Sequence, residues 1–146
     1  MEDCSGPRMV TLLIYASTTT RSVAGLSATF AENIGADNTL VFSGTLNWAT
    51  GNLPGPGNTR QFDVVFPFTT PFLYDPAAGN LLFDIQFSAN GQAIKLDIVT
   101  GNDELSRKVV NTSSSNATTG TFGGPTQVTQ FTFEPPPRVS IRASQV

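Results

Sequence analysis

Hydrophobic alternation with a period of two is the feature that most constrains what this chain can fold into. Between Leu81 and Ser88, the side chains of Leu81, Phe83, Ile85 and Phe87 fall on one side and those of Leu82, Asp84, Gln86 and Ser88 on the other. That is the pattern of a strand with one buried face. Asn90-Gly91 follows, a strong signal for a two-residue hairpin turn, and Ala93–Thr100 resumes the alternation with Ile94, Leu96 and Ile98 opposite Lys95 and Asp97. A hairpin symmetric about that turn sets Asp84 opposite Asp97.

The same period recurs elsewhere. Met9–Ser17 reads as a central strand buried on both faces or nearly so, because Val10, Leu12 and Ile14 alternate with Met9, Leu13 and Tyr15. Thr39–Trp48 is half-buried, with Leu40, Phe42, Leu46 and Trp48 on one side and Val41, Ser43, Thr45 and Asn47 on the other. Gln61–Phe68 aligns Phe62, Val64, Phe66 and Phe68, with Pro67 marking an edge. Leu105–Asn111 is a weaker strand, and Thr126–Glu134 alternates through Thr129, Phe131 and Phe133 until Pro135. Between them lie a Pro/Gly loop at Gly51–Asn58, a corner at Thr69–Asn80, a turn at Gly101–Asp103 and a polar tract at Asn111–Thr121. Leu26–Ile34 fits either one irregular strand or a single helical turn.

These runs amount to about seven to nine short strands, with no amphipathic helix, so the expected fold is all-β: an antiparallel sandwich, jelly-roll-like because the Cys-Trp-Cys signature of immunoglobulin domains is absent. The 13 Gly and 10 Pro oppose helices, and the 11 Phe suit the space between two sheets. One domain is expected over residues 9–134, preceded by a flexible segment, 1–8, and followed by a tail or edge strand, 135–146. A chain of 146 residues buries roughly 70% of its unfolded surface in one core.

Composition also removes chemistry. The chain has no His, which excludes Ser-His-Asp and Cys-His mechanisms and histidine metal sites. Its single Cys4 excludes an internal disulfide. A net charge of −3 with scattered cations argues against nucleic acid. No apolar stretch reaches the ~20 residues of a membrane span, and Met9–Ala16 is too short for a signal-peptide core.

Carboxylates, amides and aromatics remain. Asp84 and Asp97 are the carboxylates the hairpin brings together, as glycosidase chemistry requires, although Lys95 nearby makes a solvated charge cluster the simpler reading. Asp103 and Glu104 after Gly101-Asn102, and Asp37 before Asn38, are candidate calcium ligands, with turn formation as the competing explanation. Trp48, Tyr15 and Tyr74 are the rings able to stack on a sugar, with Asn52 and Asn58 as accompanying polar groups. Asn111-Thr-Ser113 and Asn116-Ala-Thr118 match the glycosylation acceptor pattern.

The segments Asn33–Asp37, Thr69–Ile85, Leu105–Arg107 and Val128–Phe133 resemble, in order and wording, a family of secreted bacterial β-sandwich proteins of unassigned activity, many of which end in a PEP-CTERM sorting signal. The similarity extends from Val10 to Glu134 and is most specific at Thr-Pro-Phe-Leu-Tyr-Asp-Pro and the following Gly-Asn-Leu-Leu. The resemblance implies an exported or surface-associated domain in an extracellular matrix and carries over no catalytic residue. This chain departs from the family at both ends: no signal peptide precedes the first strand, and Glu134-Pro-Pro-Pro-Arg138 stands where the family has Val-Pro-Glu-Pro and an anchor.

The leading expectation is therefore a non-enzymatic extracellular binding or structural module, with carbohydrate as the ligand class and no cofactor unless calcium. Two alternatives stay open. One is a carboxylate-dependent carbohydrate-active enzyme; the other is a self-associating matrix protein that forms homo-oligomers through a poorly guarded edge strand.

Overall fold

The computed structural model describes residues 8–48, 51, 53–57, 59–87, 98–99, 105–114, 116–123 and 126–134, with backbone alone at 8, 47–48 and 98–99. Among them the chain is all-β. Its strands are β1 (Arg8–Thr19), β2 (Thr39–Trp48), β3 (Asn80–Phe87), β4 (Ile98–Val99), β5 (Val109–Val110), β6 (Thr121–Phe122) and β7 (Thr126–Gln127). A single 3-10 turn, Phe30–Asn33, joins them, so the helical-turn alternative holds for that segment. No helix among the described residues is long and apolar enough to cross a membrane.

β1 is central, as its apolar run predicts, flanked antiparallel by β2 and β3 in a three-stranded sheet ordered β2-β1-β3. From Met9 to Tyr15 its burial is one-sided. Val10, Leu12, Ile14 and Ala16 are buried, whereas Met9 is 75% exposed and Leu13 and Tyr15 are half-buried. The expectation of a strand buried on both faces is thus corrected from Met9 to Tyr15, where the even-numbered positions meet the core; at the far end it holds, with Ala16 and Ser17 both buried, followed by Thr19. Around them gather Val41 and Phe42 from β2, with Leu46, Phe66, Phe72 and Phe83 packed against the cluster.

β2 departs from simple alternation at one residue. Ile14 pairs with Phe42 but Tyr15 pairs with Leu40, which leaves Val41 as an extra, bulged residue. A bulge turns the residues beyond it to the other face. Leu40, expected beside Phe42, therefore lies on the Tyr15 side and is 39% exposed, while Val41 is fully buried. The Val41 carbonyl, outside the regular ladder, accepts the backbone N–H of Thr69 at 2.9 Å and of Thr70 at 3.5 Å. This anchors the corner that leads into β3.

Gln61–Phe68, expected as a strand, forms no ladder among the described residues beyond an isolated Pro54–Arg60 bridge. Local partners take its polar groups instead: the Asp63 N–H donates to the Gln61 carbonyl at 3.0 Å, and the Asp63 carboxylate accepts the Gly51 N–H at 2.7 Å. Pro67 has no N–H to offer. The alternation of side chains survives without pairing from Val64 to Phe66, Phe66 packing on the core while Val65 is 66% exposed; Phe62 and Phe68, expected on the same face, are exposed at 42% each.

β5 and β6 form a hairpin, Val109 opposite Phe122, whose loop is the polar tract. That loop docks on the 3-10 segment through Phe30 N–H to the Thr118 carbonyl and Gly120 N–H to the Ala28 carbonyl, at 3.0 and 2.9 Å. β4 pairs with β7, Ile98 opposite Gln127, in a sheet separate from that of β3. The expected hairpin register, which sets Phe83 opposite Ile98, is therefore not the pairing found for β4; residues 88–97, including Asp97, lie outside the described ones. Past Gln127 the chain leaves the ladder, yet Phe131 stacks on Phe83 with centroids 5.3 Å apart, and Phe133 follows at 6.2 Å.

Candidate functional site

The register of the three-stranded sheet determines which polar groups meet on its second face, the one turned away from the core. Cross-strand neighbours on one face have Cβ atoms about 4.5–5.5 Å apart. Tyr15 pairs with Leu40 on one side and Asp84 on the other, and Leu13 pairs with Ser43 and Gln86. Thr11 pairs with Thr45, their hydroxyls 2.6 Å apart. The result is a half-exposed aromatic ring at the centre of a sheet face about 10 Å wide, bordered by a carboxylate, an amide and hydroxyls. Gln86 Nε2 donates to Asp84 Oδ2 at 2.9 Å, which orients both side chains and leaves the other carboxylate oxygen and the amide oxygen as acceptors.

Asp84 thus belongs to a definable constellation, though its described partners are Tyr15 and Gln86. Tyr15 was one of three candidate rings. Gln86, Ser43 and the Thr11–Thr45 pair were not singled out, and their signal was parity: each lies an even number of residues from Asp84, Tyr15 or each other along its own strand.

The other predicted residues lie elsewhere. Tyr74 is half-buried in the corner, and its hydroxyl donates to the Gly79 carbonyl at 2.9 Å, holding that corner closed. Trp48 has its backbone opposite Arg8 at the start of β1. Its side chain lies outside the described structure, as do Asn52, Asn58, Asp97, Asp103 and Glu104.

Asp37 lines an open cleft of about 580 Å³ at the far end of β1, together with Thr18, Arg21, Glu32 and Gly35. Its Oδ1 accepts the Thr18 N–H at 2.7 Å. Hydrogen bonds from Thr18, the hydroxyl first and the backbone N–H second, hold the Asp37 carboxyl below the usual aspartate range. Glu32, the second carboxylate of the cleft, bridges Arg21 at 3.1 Å and accepts the Ser27 hydroxyl at 2.7 Å. Arg21 also donates to the Glu32 and Gly25 carbonyls at 3.0 and 3.3 Å. Buried Asn33 is satisfied through both ends of its amide by Ser27 and Thr29. These bonds make the cleft a structural corner that ties residues 21–37 onto β1. Among the described residues no three metal-binding side chains converge.

Asn111 is committed as well: its Oδ1 accepts the N–H groups of Ser113 and Ser114 at 2.9 and 3.1 Å, and its Nδ2 donates to the Thr119 carbonyl at 2.9 Å. Arg107 lies over the Phe122 ring at 4.1 Å and donates to the Ala24 carbonyl at 2.8 Å, joining the hairpin to the 21–37 segment.

No protein-family model matches the chain, and no curated protein or solved structure matches it significantly.

Proposed function

We propose that the chain is a non-enzymatic binding module of the cell exterior, that its ligand is a carbohydrate, and that the ligand lies on the Tyr15 face of the three-stranded sheet. One observation carries this reading: the β1–β3 register sets Asp84 beside Tyr15, with Gln86 holding the carboxylate. A sugar ring presents C–H groups on one face and hydroxyls at its rim. A half-exposed phenol flanked by fixed acceptors suits both. The extracellular setting is supported by the PEP-CTERM-type resemblance and by a sequence rich in Ser, Thr and Asn. As architecture we propose a two-layer, jelly-roll-like sandwich, supported by the stacking of Phe131 on Phe83, which brings the C-terminal segment over the core face of β3.

The test is a glycan array run with the unaltered chain, Tyr15→Ala and Asp84→Asn, alongside a calcium titration read by thermal shift. The expected result is a retained glycan class whose affinity falls about tenfold in Tyr15→Ala, matching a loss of about 1.4 kcal/mol. An empty array for the unaltered chain, or equal retention by Tyr15→Ala, refutes the proposal.

A further inference from the structure

We propose that β2 is a docking edge for a second copy of this chain, the two β2 strands pairing antiparallel about a two-fold axis at Gly44. Among the described residues β1 is the ladder partner of β2, and the contacts on its opposite edge are those of Thr69 and Thr70 at the Val41 bulge. From Phe42 onward the outer row of N–H and C=O groups has no ladder partner among the described residues and is a template for another strand. Natural edges are commonly guarded by charge or proline, and Thr39–Trp48 contains neither.

The residues themselves select the partner. Phe42-Ser-Gly-Thr-Leu46 is chemically symmetric about Gly44. Antiparallel pairing centred there sets Phe42 opposite Leu46 twice on the core-facing side, and Ser43 opposite Thr45 twice on the other. The apolar pairs extend the core cluster that Phe42 and Leu46 already join. The hydroxyl pairs repeat the chemistry of Thr11 with Thr45 in the existing sheet. Gly44 sits at the axis, where the two backbones approach without side chains between them. A two-fold axis normal to the sheet keeps both Tyr15 faces on one side, so the dimer presents two such faces in a continuous surface. The pairing stands independently of what those faces bind.

Light scattering of the full-length chain over a wide concentration range, in a reducing buffer that keeps Cys4 out of the result, tests this with two variants. Ser43→Lys with Thr45→Lys sets lysine opposite lysine at both symmetric positions; Ser43→Lys with Thr45→Glu sets lysine opposite glutamate. Both alter the same exposed positions. The expected result is twice the monomer mass for the unaltered chain and the Lys/Glu variant, and monomer mass for the Lys/Lys variant. A monomeric unaltered chain, a dimeric Lys/Lys variant, or a monomeric Lys/Glu variant overturns the proposal.

Discussion

Replacing Leu12 by Ala tests the one-sided burial of β1 directly. Leu12 is 1% exposed at the middle of the central strand, and its cross-strand neighbours are Gly44 and Phe87. Truncating a buried Leu costs about 2–5 kcal/mol, the upper part of the range applying where the surroundings cannot collapse into the space. Gly44 has no side chain to move in, so about 4 kcal/mol is expected, a large share of the about 5–15 kcal/mol that stabilises a typical domain. In equilibrium urea unfolding with a slope of about 2 kcal/mol/M, the midpoint falls by about 2 M. Met9→Ala on the same strand is the control: at 75% exposure its cost is expected within about 0.5 kcal/mol. If Leu12→Ala costs under about 1 kcal/mol, or Met9→Ala costs as much, the assignment of faces is wrong.

Gly35→Ala drives a Cβ into the Thr18 carbonyl, separating the 34–37 turn from β1; a loss of about 1–3 kcal/mol is expected in the same assay, and an unchanged midpoint contradicts the packing. The folded Asp37 carboxyl titrates below its unfolded value near 3.8, so its contribution is complete above that pH and disappears as the pH falls through the lowered folded value. Asp37→Asn, which keeps an acceptor for the Thr18 N–H, should flatten that part of the acid limb in thermal melts across pH; an identical limb means other groups produce it.

Much of the sheet was legible because alternation is local. The even-numbered positions of β1 from Val10 to Ala16 follow directly from the residue pattern; the pattern also gives the side on which Phe83, Ile85 and Phe87 lie, but not their burial, since Ile85 and Phe87 stay 45% and 46% exposed. Bulges are not local: Val41 looks like any β-branched strand residue, and its place becomes evident only when Tyr15 meets Leu40. Gln61–Phe68 misled in the opposite way, keeping the side-chain alternation of a strand from Val64 to Phe66 while its backbone found partners within the segment and at Leu53, and the Asp63 carboxylate took the Gly51 N–H. The candidate site shows the same division. Tyr15 and Asp84 were each identifiable by type, but their adjacency depends on β1 pairing with β3, elements separated by the whole of β2 and the Pro/Gly loop. Asp37 was legible as an oxygen donor; its engagement by Thr18 was not.

The central position of β1 has a consequence in time. It precedes both of its neighbours in the chain, and it stays without them until β2 and then β3 have been made; Leu12 waits for Phe87. Sheets dominated by such distant pairings lie at the slow end of the folding range, because the loop must close before any contact rewards it. A nascent chain of this kind carries its central strand without its second neighbour until Phe87 has been added, and whatever accompanies it in the cell has that strand to shield.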